Sequence, residues 1–189
     1  MAGRPDDAML TEWALAAGRG DRTALAAFVR ATQRDVLRFV THLAGAADAE
    51  DLAQETYVRA LRSIATFTGR SGARSWLLSV ARHTCADAVR TARRRPRCNP
   101  VADWEAHTAS AVTARSGAEE AVALRALVAA LDPARREAFV LTQVLGLGYA
   151  EAAEVCGCPI GTIRSRVARA REDLVAALDG RAGARTAKG

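Results

Sequence analysis

The sequence predicts an all-α protein made of two small helical units joined by a flexible linker. Three observations carry that expectation. Alanine-rich stretches of strong helix propensity fill the chain, and β-branched residues are scattered. Apolar residues recur at helical spacing in most segments. Between them one stretch, 97–118, loses all periodicity and is dominated by Pro, Ser, Thr, Ala and Gly.

The first helix is capped by Asp6 or Asp7, turns Leu10, Trp13, Ala14 and Ala17 inward, and stops at Gly18-Arg19-Gly20. Asp21 caps the second, whose stripe is Leu25, Phe28, Val29, Val36, Phe39, Val40 and Leu43, ending at Gly45. Asp48 opens a third, with Tyr57, Ala60, Leu61 and Ile64 inward. After Phe67 and a glycine-bearing loop, a fourth runs from about Ala73 to Arg95, with Leu77, Val80, Ala81, Ala88 and Val89 inward, until Pro96 ends it. The linker spans at most ~70 Å extended and ~25 Å as a coil, so the two units need not touch. The second unit begins at Glu119 and has four helices. One runs to Leu131, a second from the Asp132-Pro133 start to about Leu145, and two more follow. The expected divisions are 9–96, 97–118 and 119–179, with disordered tails at 1–8 and 180–189.

Composition narrows the function. The net charge is +6, and of 27 basic residues only Lys188 is lysine. Arginine presents a planar fork of donors that suits phosphates and base edges, although a GC-rich genome also enriches arginine and alanine together. The distribution is therefore more telling than the total. No apolar run is long enough to cross a membrane, and the N-terminus lacks an export signal, so a cytoplasmic protein is expected. Cys85, Cys98, Cys156 and Cys158 lack zinc-ligand spacing and read as small structural thiols; neither metal nor cofactor is expected. No nucleophile elbow, phosphate-cradling glycine loop or HExxH motif is present, so the chain reads as no enzyme.

The strongest local signal lies over residues 149–166. Two helices that cross steeply need a small residue at their approach, and Ala153 supplies it. The tight turn between them needs a residue tolerant of positive φ, and Gly157 follows four residues on. Ile163, six further, pins the second helix. This is helix-turn-helix spacing. The second helix exposes Thr162, Arg164, Ser165, Arg166, Arg169 and Arg171 and turns Val167, Ala170 and Leu174 inward. Such a helix fits a major groove, where arginine pairs with guanine.

In the first unit, Asp51, Gln54, Glu55, Arg59 and Arg62 lie opposite an apolar stripe. On the fourth helix Ser75, Ser79, Arg82, His83, Arg90, Arg93 and Arg94 fall largely on one side, and five arginines occur within 90–97. That density suits phosphate contact with counterion release. The preceding loop, with Thr68, Arg70, Ser71 and Arg74, is rich in donors and could grip an unstacked base.

Three stretches then become specific. DAEDLAQETYVRA (48–60) resembles region 2.2 of bacterial sigma factors, RSWLLSVARHTCAD (74–87) resembles regions 2.3 and 2.4, and CPIGTIRSRVARAR (158–171) resembles region 4.2. The small size points to the extracytoplasmic-function (ECF) group of the sigma-70 family. The resemblance implies a factor that joins core RNA polymerase and directs it to promoters. It places Asp51, Gln54, Glu55 and Arg59 against the β′ clamp helices and the second unit's apolar surface against the β flap. It places Thr68, Arg70, Ser71, Arg74, Arg82, His83, Arg90, Arg93 and Arg94 at the −10 element, and the exposed residues from Thr162 to Arg171 at the −35 element. An anti-sigma factor is a further partner that the resemblance admits. Two departures matter. Phe67 and Trp76 both look like core, which leaves few aromatics to trap melted bases, and His83 stands where many relatives carry asparagine. A stand-alone LuxR/GerE-type regulator shares the helix-turn-helix but would leave 48–97 without a task.

Overall fold

In a computed structural model, residues 5–94 and 117–186 are described, with 93–94, 117–121 and 180–186 as backbone only. The described residues form eight α-helices and no strand. In the N-terminal half these are α1 (Asp7–Gly18), α2 (Arg22–Ala44), α3 (Ala49–Ser63) and α4 (Ala73–Arg94). A 3-10 turn (Ile64–Thr66) extends α3. The caps are local. Asp6 accepts from the Met9 amide at 2.8 Å, and Asp21 accepts from Thr23 and Ala24, which satisfies orphan donors of the first turns.

Leu10, Ala14, Phe28, Val36, Phe39, Val40, Leu77, Leu78 and Ala81 are buried among α1, α2 and α4. Each large side chain of this set contributes roughly 1.5–3 kcal/mol of burial. Gly18 makes the end of α1 possible: a Cβ there would lie 2.7 Å from the Ile64 carbonyl oxygen, so α1 and the 3-10 turn touch through backbone. Two predicted inward residues face out. Leu61 on α3 and Val89 on α4 are exposed, because α3 turns Ala49, Thr56 and Ala60 inward and α4 turns Leu78 and Cys85 inward. Ser75 departs the other way; expected on the polar side of α4, it is buried.

The C-terminal half holds α5 (Gly117–Ala130), α6 (Pro133–Phe139), α7 (Tyr149–Cys156) and α8 (Ile160–Thr186). The Asp132 carboxylate caps α6, Pro133 occupies its first turn, and the helix runs on as a π turn over Val140–Val144. α1 begins at Asp7 under the Asp6 cap, and the backbone of α8 runs on through Gly180 to Thr186. The linker 97–118 lies almost wholly outside the described residues, as do Cys98 and residues 1–4 and 187–189.

The halves pack against each other, which linker length alone left open. α4 lies on α7, and the end of α2 meets α5 and α6. Buried residues of both halves form one cluster, from Phe28 and Leu77 to Leu141 and Ile163.

Candidate nucleic-acid and polymerase interfaces

The helix-turn-helix forms as its spacing predicts. Gly157 sits in the left-handed region at φ +63°, and its amide donates to the Ala153 and Glu154 carbonyls. The Cys158 amide also reaches the Ala153 carbonyl at 3.1 Å, closing the turn. The Pro159 carbonyl accepts from the Thr162 amide at 2.9 Å and starts α8. Ile163, Val167 and Ala170 are at most 1% exposed, and Leu174 is buried. They fix the rotation of α8, so Arg164, Ser165, Arg169 and Arg171 point to solvent. Thr162 and Arg166 are half-buried; Arg166 leans back to the Cys158 thiol at 3.7 Å. Arg171 is held by the Gln143 side-chain oxygen at 2.9 Å. The N-terminal half of α8 thus offers guanidinium groups on a braced helix.

On α3, Asp51 and Gln54 are exposed and Glu55 is half-buried. Arg59 is less free than its polar face suggests. Its Nε donates to Glu55 at 2.7 Å and its Nη1 to Asp87 of α4 at 2.6 Å. Asp87 is also paired with Arg90. Hydrogen bonds from Arg59 and then Arg90 hold the Asp87 carboxyl below the usual carboxylate range.

The residues assigned to −10 DNA do not form one open surface. Thr68 and Arg70 are exposed and Ser71 half-buried on the loop before α4. His83 is exposed, and its Nδ1 donates to the Ser79 carbonyl at 2.7 Å, which leaves Nε2 outward. Arg90 is exposed although paired. Arg93 and Arg94 continue α4, and their side chains lie outside the described residues. Arg74 and Arg82, by contrast, are engaged at the seam between the halves. The Arg74 side chain is 13% exposed; its Nε meets Asp35 at 2.8 Å and its Nη2 donates to the Leu145 carbonyl at 2.5 Å. That carbonyl ends the helical stretch of α6, so an arginine of one half caps a helix of the other. The Arg82 Nε donates to Glu137 of α6 at 2.5 Å, and the Glu137 side chain is only 10% exposed. Phe67 and Trp76 stack together with ring centroids 4.9 Å apart, both partly buried, as core residues do.

Sequence reasoning missed Asp35 and Glu137. Both break an apolar stripe, Asp35 between Thr32 and Phe39, Glu137 four residues before Leu141, and an acid on an inward register is the signal that a buried cation will meet it. Two thiols sit at the same seam. Burial, with Glu137 nearby, pushes Cys85 up to about 11 and Cys156 up to about 12, so both stay protonated and inert at neutral pH. Among the described residues no cluster of His, Cys, Asp and Glu has metal-site geometry, and no helix is long and apolar enough to cross a membrane.

With this geometry in view, comparison with known proteins is specific. The Sigma-70 region 2 family model matches residues 28–95, and the Sigma-70, region 4 model matches residues 121–174. A probable RNA polymerase sigma-C factor of Mycobacterium bovis is 50% identical over 171 residues, covering 90% of this chain and 92% of that protein. The ECF RNA polymerase sigma factor SigC of Mycobacterium tuberculosis shows the same 50% identity over the same 171 residues. The ECF RNA polymerase sigma-E factor of Escherichia coli is 30% identical over 166 residues, covering 82% of this chain and 87% of that protein. Among solved structures, CnrH in complex with the cytosolic domain of CnrY shares the fold, with a TM-score of 0.71 at 24% identity, covering 91% of this chain and 98% of that one. The sigma factor RpoE of Bartonella quintana, solved with the anti-sigma factor NepR, has a TM-score of 0.67 at 28% identity, covering 82% and 96%.

Proposed function

We propose a residue-level division of labour for this chain, which belongs to the ECF group of the sigma-70 family and is an alternative sigma factor directing promoter-specific transcription. The C-terminal unit, 119–179, reads the −35 element through α8. Arg164 and Arg169 reach base edges and phosphates, Ser165 and Thr162 hold phosphate near the helix start, and Arg166 and Arg171 contribute as their present partners release them. The N-terminal unit, 9–96, offers Asp51, Gln54, Glu55 and Arg59 to the β′ clamp helices. It receives the opened −10 strand at Thr68, Arg70 and Ser71, beside His83, with Arg90, Arg93 and Arg94 along the backbone path. The apolar surface of the second unit meets the β flap, and 97–118 joins the two.

Arg74 and Arg82 have a second requirement. Each is tied across the seam, so neither meets DNA until the halves part. Core polymerase, which holds both units, supplies the free energy for that separation. The factor acts without chemistry of its own, in the cytoplasm where polymerase works. CnrH was solved in complex with the cytosolic domain of CnrY and RpoE with the anti-sigma factor NepR; an anti-sigma factor is proposed as a partner here also.

The observation that carries this reading is the rotation of α8, with Ile163 and Val167 buried and Arg164 and Arg169 outward on a helix-turn-helix. Transcription with core polymerase on a promoter library tests it. Initiation at a defined promoter class that depends on added protein is expected. Duplex binding without polymerase, and no initiation, would favour a stand-alone regulator and overturn the reading.

A further inference from the structure

Four charged side chains of alternating sign join α3 to α4 in one chain of contacts. Glu55 accepts from the Arg59 Nε at 2.7 Å, the Arg59 Nη1 donates to the Asp87 Oδ2 at 2.6 Å, and the Arg90 Nη2 donates to the Asp87 Oδ1. Both oxygens of Asp87 are therefore in use, one by each arginine. Every member keeps more than a third of its side-chain surface in solvent, so an outside partner can compete for either end. The two ends suit different partners. Glu55 shares its helix face with Asp51 and Gln54 and suits a basic group, whereas Arg90 opens the arginine run of 90–97 and suits phosphate.

In such a chain each charge weakens the hold of its neighbour on the next. Glu55 offsets the charge of Arg59, Arg59 offsets that of Asp87, and what remains of Asp87 holds Arg90. A cation that takes Glu55 leaves Arg59 to Asp87 alone. The carboxylate is then better neutralised, and Arg90 passes more readily to a phosphate. We propose that Asp87 is a positioning residue that holds Arg90 back from DNA, and that the Glu55–Arg59 pair sets how firmly it does so. Given the placement of Glu55 at polymerase and of Arg90 along the −10 strand proposed above, polymerase contact and strand capture then favour each other. The coupling runs both ways. A strand that takes Arg90 turns Asp87 more strongly on Arg59, which loosens Arg59 from Glu55 and readies Glu55 for polymerase.

The test is the affinity of the full chain for a short fluorescent oligothymidylate, read by anisotropy, since a phosphate contact needs no particular base. Arg90→Ala weakens binding, which places the strand at this end. Asp87→Asn tightens it about two- to fivefold, the range an exposed ion pair allows. Glu55→Gln, standing for a Glu55 taken by polymerase, tightens it by less, and Arg59→Met weakens it. Damage to the fold would weaken binding in every case. Net charge alone gives the same signs, so Glu50→Gln, exposed in the first turn of α3, measures that effect by itself. Asp87→Asn exceeds Glu50→Gln, and the excess vanishes in an Arg90→Ala background. In an Asp87→Asn background Glu55→Gln does no more than Glu50→Gln. Two results would overturn the proposal alone: an excess that survives without Arg90, or Asp87→Asn no stronger than Glu50→Gln while Arg90→Ala weakens binding. Unchanged binding on Arg90→Ala would overturn it together with the −10 placement of Arg90.

Discussion

Replacing Glu137 with glutamine should loosen the packing between the two halves while leaving each half folded. The substitution keeps size and shape and removes one charge. Glu137 is 10% exposed and Arg82 about one-third exposed, with 2.5 Å between Arg82 Nε and the carboxylate. Two unit charges ~4 Å apart attract by about 4 kcal/mol at an effective dielectric constant of ~20. Desolvation offsets part of that. Exposed pairs are worth about 0–1 kcal/mol, and breaking a fully buried pair costs about 3–5 kcal/mol. A pair of intermediate exposure falls near 2 kcal/mol. That is roughly a 30-fold shift in the equilibrium between packed and separated halves. Small-angle scattering should show a larger radius of gyration for Glu137→Gln. Amide exchange should show lost protection on the faces of α4 and α7 that meet, with α1 and α8 protected as before. A single-stranded −10 oligonucleotide should bind more tightly, because Arg82 is freed. If the radius, the α4 exchange and the oligonucleotide affinity all matched the parent, the seam pair would not hold the halves together and the argument from burial would fail.

Other outcomes follow from the same geometry. Arg164→Ala should cost about 1–3 kcal/mol of −35 binding and relax base preference, read by footprinting with holoenzyme. Gln54→Ala with Glu55→Ala should weaken capture of core polymerase; the fold should survive, since both side chains of the Glu55–Arg59 pair keep more than a third of their surface in solvent and the pair is worth at most about 1 kcal/mol. Ile163→Ala removes a side chain fully buried under the helix-turn-helix and should lower stability by about 2–5 kcal/mol in urea unfolding, with −35 binding lost as well. The seam should also respond to pH through His42. Its folded-state value is lowered, so its contribution is present above the ordinary 6.5 and is lost as pH falls through the folded value, where a charged ring would face Arg38, Arg125 and Arg136. Scattering across about pH 8 to pH 5 should show the halves separating toward acid, and His42→Asn should flatten the trend.

The helices were legible because each carried two independent signals, an apolar stripe and a cap or stop. Asp6, Asp21 and the Asp132-Pro133 start are examples where a side chain two or three residues from its target decides the boundary. The helix-turn-helix was legible for the same local reason: Ala153, Gly157 and Ile163 constrain one another within a few turns. Along α3 and the 3-10 turn that extends it, Ala60 and Ile64 are buried and Tyr57 packs against the core as expected, and Leu61 alone of the four faces out; Thr56 takes an inward place, and Tyr57 bonds Thr32 of α2 at 2.8 Å. Apolar spacing cannot register a hydrogen bond made 25 residues away. The seam was invisible on the same ground. Its bonds join Arg74 to Leu145 and Arg82 to Glu137, 71 and 55 residues apart.

That difference bears on how an arginine-rich chain is read. Count and density point to a polyanion partner, yet they do not say which arginines are available to it. Partnering does. Arg59, Arg74 and Arg82 have carboxylates or carbonyls in reach, so their first task in this arrangement is to brace α3 to α4 and one half to the other. Arg164 and Arg169 have no carboxylate partner among the described residues, and they stand on the one helix whose rotation is pinned by buried Ile163 and Val167. The same protein therefore holds arginines that can read DNA at once and arginines that can do so only after an ion pair breaks. Under the assignment proposed above an order of events follows: the −35 face would be ready in the packed state, and the full −10 surface would be assembled only when polymerase has drawn the halves apart.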